Sequence, residues 1–245
     1  MIGSGKSTLS TILGNVLDVP VFYESVDDNP VLPLFYKDPN KYAFLLQIYF
    51  LNTRFKSMKK ATTIKNAIMD RSIREDAILF HANAELGRVG ETKEDSDTVI
   101  DTYDNLLNNM LEELDTLPKK TPDLVIGIRA SYETIVSRIQ KRGRSYEQIS
   151  QDGSLINYYK LLIERYDEWF DDFKVNNPNS DIIIIDGDKY DFTENENDRK
   201  LVLSAILDKM NSIGLIDDVE KLQDSVNPSQ QQVHRMLDLV SDTIN

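Results

Sequence analysis

The sequence contains no cysteine and only two histidines among its 245 residues. Without cysteine, disulfide bridges, thiolate-bound zinc and thiol nucleophiles are excluded. The absence also favours, weakly, a reducing compartment, so we expect a cytoplasmic protein. Neither His81 nor His234 has neighbours in the sequence that suggest a metal-ligand set. Any chemistry must therefore come from carboxylates, hydroxyls, amides and basic side chains.

Basic charge is scarce: 28 lysines and arginines face 41 acidic residues, which gives a net charge of −13. Proteins bind nucleic acids and anionic membranes largely through basic charge, so we expect neither partner. Long apolar runs are also missing. The most apolar stretch, residues 42–51, has about half of the roughly 20 residues that a membrane helix needs. We expect no secretory signal, because no apolar run precedes the first glycines.

Short runs of branched residues alternate with longer segments of helical periodicity. The predicted strands are residues 19–23, 67–69, 124–128 and 182–185. The predicted helices are residues 9–17, 41–61, 73–86, 97–117, 132–141, 156–173 and 199–210. This alternation predicts an α/β fold with a parallel sheet covered by helices on both faces, and a ligand site at the carboxyl ends of the strands. Residues 1–212 form one predicted domain, and residues 213–245 form a polar extension with a short helix at 230–240.

The first residues, M-I-G-S-G-K-S-T, match the second half of the phosphate-binding motif G-x-x-x-x-G-K-[S/T]. In such a loop the backbone N–H groups and the helix N-terminus bind phosphate oxygens, Lys6 reaches the terminal phosphates and the Ser7 hydroxyl holds Mg²⁺. The motif's first glycine would fall one position before Met1, and the strand that precedes such a loop is missing. We favour a written sequence that starts late over a chance match. The neighbours of that strand would then lack hydrogen-bond partners, which is costly when they are buried.

A second basic cluster comprises Arg138, Lys141, Arg142 and Arg144 within seven residues. The first three share one helix face, and Gly143 permits a turn that carries Arg144 onward. One interpretation is a solvated basic helix end, which the helix dipole favours. The other is a lid whose arginines close over a triphosphate, because phosphoryl transfer depends on stabilising charge on the phosphate oxygens.

These segments occur in the order and spacing of a known family. The matching stretches are residues 22–30, 36–39, 47–54, 70–76 and the basic cluster. Together they resemble the deoxynucleoside kinase family, and within it the bacterial deoxyadenosine and deoxyguanosine kinases, from residue 3 to about residue 210. The resemblance implies a P-loop kinase fold like that of thymidylate kinase, with its first strand missing from this chain. It also implies a dimer, either a homodimer or a heterodimer with a related kinase.

The resemblance implies a set of catalytic residues. Glu24 would take the proton of the substrate's 5′-hydroxyl, and Arg71 would hold Glu24 and steady the transferring phosphoryl group. Arg138 and Arg142 would stabilise charge on that group. Asp70 would bind Mg²⁺ together with Ser7. From the residues alone, Glu24 is equally an exposed acid at a strand end and Asp70 equally a helix cap.

The resemblance also implies the substrate contacts. Tyr36 and Glu147 would bind the sugar 3′-hydroxyl, and Gln47 would make a two-point hydrogen bond to the base edge, since its amide offers a donor and an acceptor. Arg54 and Asp76 would complete the base pocket. Gln47 and Arg54 are seven residues apart and share a helix face, which suits a pocket as well as a solvent face.

ATP would bind to a further set of residues, of which those in the loop at 186–192 could equally belong to an ordinary acidic turn. The predicted ATP-binding residues are Gly3, Gly5, Lys6, Ser7, Thr8, Arg144, Asp186 and Asp188.

The predicted activity is ATP- and Mg²⁺-dependent phosphorylation of the 5′-hydroxyl of purine deoxynucleosides, deoxyadenosine first and deoxyguanosine second, in nucleotide salvage. One alternative is a nucleoside monophosphate kinase. That enzyme needs basic groups aimed at the acceptor phosphate, whereas Glu24, Tyr36, Gln47 and Glu147 are acidic or neutral. The other is a kinase-like subunit that binds nucleotide with little catalysis.

Overall fold

The computed structural model describes residues 1–24, 26, 28–115, 121–150 and 153–217. The helices are α1 (Lys6–Leu17), α2 (Leu32–Lys37), α3 (Pro39–Ala61), α4 (Asp76–Glu85), α5 (Lys93–Asp115), α6 (Tyr132–Arg142), α7 (Ser154–Asn176) and α8 (Glu196–Ser212). The strands are β1 (Val21–Phe22), β2 (Ile68–Met69), β3 (Leu124–Arg129) and β4 (Asp181–Asp186). Short 3₁₀ turns cover Ile73–Glu75 and Ser145–Glu147. None of the described helices is long and apolar enough to cross a membrane.

The strands pair in parallel, as the α/β prediction requires, but they form two sheets. β1 pairs with β2, and β3 pairs with β4 in a register that aligns Leu124 with Asp181. The sequence predicted one sheet, whereas the described strands form two separate pairs. Residues 1–5 enter α1 as turns, and no described strand bonds to the remaining edge of β2 or β3. The two pairs consequently share no backbone hydrogen bonds.

Each predicted helix in the described residues is present, with small changes at its ends. Residues 73–86 divide into a 3₁₀ turn and α4. At the end of α6, Gly143 adopts φ = 78° and its N–H bonds to the carbonyl of Ile139, which a left-handed glycine cap explains. The sequence pattern missed α2, a six-residue helix with Pro33 in its first turn. The helix predicted at 230–240 lies outside the described residues.

Apolar side chains form three clusters that position the site. One surrounds α3 and includes Phe50, Leu51 and Phe80; a second packs α6 and α7 together through Ile135 and Tyr159. The third packs α1 and α8 against β3 and β4. Because α1, α3 and α4 each pack on the sheet pairs or on one another, their polar residues near the strand ends are brought to one region of the molecule.

Candidate active site

The N-terminal loop has a conformation that requires glycine. Gly5 precedes α1 with φ = 92°, and Gly3 has φ = 71°; L side chains rarely adopt either value. A Cβ on Gly5 would lie 3.0 Å from Cζ of Phe192, whose carbonyl accepts a hydrogen bond from the buried Arg199. The loop is therefore closely packed against the segment that follows β4.

Lys6 begins α1 directly after this loop. Burial lowers the pKa of Lys6, and the nearby Arg71 lowers it further, while Asp70 and Glu24 act in the opposite direction. Within the part of the chain that the structure describes, its ammonium group makes no hydrogen bond and no ion pair. A desolvated cation without a partner, at a helix N-terminus, suits a polyanionic ligand.

Ser7 and Asp70 contact each other across the junction of α1 and β2. The Ser7 hydroxyl donates to Asp70 Oδ2 at 2.6 Å, while Asp70 Oδ1 is buried without a hydrogen-bond partner. A hydroxyl beside a carboxylate with an unused oxygen fits Mg²⁺, which takes few protein ligands and completes its shell with phosphates and water. The described residues contain no group of three acidic or histidine side chains that could hold a metal alone, so phosphate oxygens would have to contribute.

Glu24 lies just beyond β1 between two guanidinium groups. Its Oε2 accepts a hydrogen bond from Arg71 Nε at 2.8 Å, and its Oε1 accepts one from Arg54 Nη2 at 2.5 Å. Burial alone would raise the pKa of Glu24, but the charges of Arg71, Arg54 and Lys6 outweigh it and lower the pKa to about 2. The carboxylate is therefore ionised at any physiological pH.

Arg71 is held on three sides. Besides Glu24, its guanidinium donates to the hydroxyl of Tyr166 at 2.5 Å and lies 3.6 Å from Glu75. These negative and polar groups raise the pKa of Arg71 although its burial acts against them. The guanidinium consequently has a fixed position next to the carboxylate of Glu24 and within the electrostatic reach of Lys6.

The residues predicted for the base pocket form one network on α3 and α4. Arg54 pairs with Asp76 as well as with Glu24, and Asp76 is fully buried. Gln47 Nε2 donates to the backbone carbonyl of Asp76 at 2.8 Å and to the hydroxyl of Tyr103 at 3.0 Å. Both amide hydrogens of Gln47 are thus engaged, which differs from the free donor that a two-point contact with a base requires.

The predicted sugar-binding residues lie where α2, which carries Tyr36, contacts the 3₁₀ turn that carries Glu147. Burial raises the pKa of Tyr36 well above its ordinary value, and the carboxylate of Glu147 adds to the effect. Glu147 pairs with Arg142 and lies 3.7 Å from Arg144. The structure therefore joins two predicted lid arginines to a predicted substrate ligand.

The remaining predicted donor-side residues contact the protein itself. Arg138 donates to the backbone carbonyls of Ser4 at 3.1 Å and Gly187 at 2.8 Å, and so connects the N-terminal loop with the loop after β4. Asp188 accepts from the backbone N–H of Ser131 at 3.0 Å, before α6. Asp186 accepts from two backbone N–H groups of its own turn. To contact a triphosphate, Arg138 would have to exchange these carbonyls for phosphate oxygens.

A shallow pocket, open to solvent, borders the carboxylate of Glu24. It is lined by Phe22, Tyr23, Glu24, Thr53, Arg54, Ser57, Met69 and Arg71.

Sequence reasoning missed the two tyrosines that support this site. Tyr103 on α5 contacts Gln47, and Tyr166 on α7 contacts Arg71. Both occur at apolar positions of helical periodicity, and this pattern indicates core packing. Nothing in the sequence pairs them with residues 56 and 95 positions away.

Comparisons with known proteins show the family of this chain. The family described as Deoxynucleoside kinase matches residues 1–211. The chain belongs to the deoxynucleoside kinase family. It is 54% identical over 213 residues to the deoxyguanosine kinase of Lactobacillus acidophilus, with 87% of this chain and 89% of the relative covered. It is 45% identical to the deoxyadenosine kinase of the same organism, with 87% and 94% covered.

A solved structure also resembles it, that of deoxyadenosine kinase from M. mycoides with bound dATP. The two share 32% identity with a TM-score of 0.66, over 84% of this chain and 95% of the other. The α/β kinase fold and the phosphotransferase class predicted from the sequence are confirmed.

Proposed function

We propose that this kinase transfers the γ-phosphoryl group of ATP, with Mg²⁺, to the 5′-hydroxyl of purine deoxynucleosides. We further propose that it acts in nucleotide salvage in the cytoplasm, as a homodimer or as a heterodimer with a related kinase. The observation that carries the activity is the position of Glu24. Its carboxylate contacts Arg54 of the base-pocket network and Arg71, and it lies within the electrostatic reach of Lys6. One carboxylate thereby connects a nucleoside pocket with a phosphate-binding loop.

On the acceptor side, Glu24 would hold the proton of the 5′-hydroxyl as the oxygen attacks phosphorus. A carboxylate with a pKa of about 2 is a weak base, so the proton would move as the new P–O bond forms rather than before it. Arg71 would keep the carboxylate in place and stabilise charge on the transferring group. Its contacts with Tyr166 and Glu75 limit the guanidinium to this position.

On the donor side, the backbone of residues 3–8 and Lys6 would bind the triphosphate. The ammonium group of Lys6 supports this role, because it has no partner among the described residues and a bound phosphate would supply a counter-charge. Ser7 and Asp70 would hold Mg²⁺, which, when bound, would neutralise charge on the phosphate oxygens. Arg138, Arg142 and Arg144 would add positive charge after leaving their present partners, while Asp186 and Asp188 would contact ATP from the loop after β4.

For the acceptor, the relatives support a purine. Two of them from one organism are named for deoxyguanosine and deoxyadenosine, at 54% and 45% identity. The charged acceptor-side groups are already paired, since Arg54 and Arg71 both contact Glu24. Arg54 pairs with Asp76 as well, and Arg71 would act on the transferring phosphoryl group, so no further cation of this network is left for the phosphate of a monophosphate acceptor. A neutral nucleoside therefore fits better than a nucleoside monophosphate.

The proposal is tested by a panel of deoxyadenosine, deoxyguanosine, deoxycytidine, thymidine and deoxyadenosine monophosphate with ATP and Mg²⁺. We expect the two purine nucleosides to be phosphorylated fastest.

Glu24→Gln should lower kcat by about 10²–10⁴-fold, the contribution typical of general acid–base catalysis. The matched control is Glu85→Gln, which removes a carboxylate paired with Arg165 on the surface and should leave kcat unchanged. An unchanged rate in Glu24→Gln, or faster turnover of the monophosphate, would contradict the proposal.

A further inference from the structure

One face of α1 contacts both strands of the first pair. Ser7, Thr11 and Gly14 are four and three positions apart on the helix, so they share this face. Ser7 donates to Asp70, directly after β2, and a Cβ on Gly14 would clash with a side chain of β1. Between these two contacts, the hydroxyl of Thr11 lies 2.8 Å from that of Tyr23. This third contact joins α1 to the segment that follows β1.

The direction of the hydrogen bond between the two hydroxyls follows from the other contact of Thr11. Its hydroxyl donates its single hydrogen to the backbone carbonyl of Ser7 at 2.9 Å, so the Tyr23 hydroxyl must donate to Thr11 Oγ1. Thr11 is buried, whereas Tyr23 is partly exposed and lines the pocket beside Glu24. A chain of two hydrogen bonds therefore runs from the edge of this pocket to the carbonyl of Ser7.

Tyr23 connects the acceptor half of the site with the donor half. The next residue in the chain is Glu24, and the hydrogen-bond chain ends at Ser7, which follows Lys6. Both ends keep partners of their own, since Glu24 contacts two guanidinium groups and Ser7 contacts Asp70. Neither end needs Tyr23 to form its own site. What the Tyr23 hydroxyl can determine is the distance between the two sites.

We propose that Tyr23 is a positioning residue that holds α1 at a fixed distance from Glu24 and thereby aligns the phosphate donor with the acceptor hydroxyl. This inference rests on the proposed function, because it concerns transfer between the two halves of the site. Reacting atoms must approach to about 3–3.5 Å, and a misplacement of about 1 Å can cost about 10²-fold in rate. Loss of the hydroxyl should therefore lower kcat while each substrate binds with unchanged affinity.

The test is Tyr23→Phe, which retains the ring beside Glu24 and removes only the hydroxyl. The kcat for deoxyadenosine should fall about two- to tenfold, the effect of one neutral hydrogen bond. The dissociation constants of deoxyadenosine and of Mg²⁺-ATP, measured separately by titration calorimetry, should not change. Tyr49→Phe is the matched control, because it removes the hydroxyl of a half-buried tyrosine on α3 and should leave kcat unchanged.

Thr11 provides a second set of variants. Thr11→Val keeps the shape of the side chain without its hydroxyl and should lower kcat as Tyr23→Phe does, whereas Thr11→Ser should retain the wild-type kcat. Because the two hydroxyls act through one hydrogen bond, the double variant Tyr23→Phe with Thr11→Val should be no slower than the slower single variant. Losses that multiply in the double variant, or weaker binding of one substrate at normal kcat, would overturn the inference.

Backbone amide exchange tests the contact without any activity. The N–H groups of residues 9–12 should exchange with solvent faster in Tyr23→Phe than in wild type, because this half of α1 loses an anchor to the segment after β1. Those of α4 should not change. If no nucleoside is phosphorylated, the proposed function fails, and the exchange rates still decide whether Tyr23 anchors α1. Equal exchange in the two proteins, or an unchanged kcat in an active enzyme, would contradict the role of Tyr23.

Discussion

The acceptor half of the site and the donor half use charge in different ways. In the acceptor half, the charged side chains pair with one another: Glu24 contacts Arg54 and Arg71, and Arg54 also contacts Asp76. In the donor half, Arg138 donates to backbone carbonyls, and Lys6 has no partner within the described residues. The charges of the acceptor half balance one another without a ligand, whereas the donor half contains a cation whose charge a ligand would neutralise.

This difference matches what each half would bind. A nucleoside carries no charge, so a pocket for it can balance its own charges, and its buried network can contribute to the folded state. A triphosphate carries several negative charges, and a site for it needs positive charge that the protein has not already neutralised. We therefore expect substitutions in the acceptor half to lower stability as well as activity, and substitutions in the donor half to lower activity without a loss of stability.

The largest stability effect should follow Arg54→Met. Arg54 is 5% exposed and pairs with two buried carboxylates, so its loss leaves Asp76 without a cation and Glu24 with only one guanidinium in contact. Breaking a buried ion pair in this way costs about 3–5 kcal/mol. Urea denaturation should show this loss as a lower midpoint with an unchanged slope.

Arg129→Met is the control for that experiment. Arg129 pairs with Asp167 and Asp171 at the surface, where its side chain is 40% exposed. Exposed pairs contribute at most about 1 kcal/mol. An Arg54 variant that is no less stable than the Arg129 variant would remove the distinction between the two halves.

Lys6→Met should lower turnover without the loss of stability that we expect for Arg54→Met. Because burial lowers the pKa of Lys6, the fold disfavours its charge, and removing that charge should leave the melting temperature equal or higher. Turnover should fall about 10²–10³-fold, as when one stabilising donor is removed from a transition state. Calorimetry and steady-state kinetics on the same preparations measure both. Lys60→Met, at the exposed end of α3, should change neither, and a destabilised Lys6→Met enzyme with normal kcat would refute the prediction.

Sequence reasoning could predict the donor half more completely than the acceptor half. The G-S-G-K-S-T motif is contiguous, so its residues identify both the loop and the helix that follows. Arg54 and Glu24 are 30 residues apart, and Gln47 and Tyr103 are 56 apart. Their contacts depend on how α3 packs against β1, α4 and α5. Local periodicity shows that these positions are buried but does not show which polar groups meet there.

The same limit explains why the division of the strands into two sheets and the contacts of the basic cluster could not be predicted. Composition and periodicity predict each strand, whereas the hydrogen bonding of strand edges depends on the relative positions of β2 and β3. For the basic cluster, helical spacing correctly placed Arg138 and Arg142 on α6. Their bonds to Ser4, Gly187 and Glu147 could not be predicted, because each involves a loop whose path is set by tertiary packing.

The smallest effect concerns the pH dependence of stability in the acceptor half. The pKa of Glu24 is about 2 in the folded protein, against an ordinary value of 4.5. A carboxylate with a lowered pKa stabilises the fold fully above its unfolded pKa, and this contribution is lost as the pH falls towards the folded pKa. At about 1.4 kcal/mol per unit, the contribution is about 3 kcal/mol at neutral pH, and about half of it should be lost near pH 3.5.

The difference in unfolding free energy between wild type and Glu24→Gln should therefore narrow by about that half between pH 7 and pH 3.5, as urea titrations at each pH can measure. Glu133→Gln, an exposed carboxylate on α6, should show no such narrowing. A constant difference for Glu24→Gln across this range would mean that the two guanidinium groups do not stabilise the ionised form of Glu24, and the contrast between a charge-balanced acceptor half and an unbalanced donor half would lose its basis.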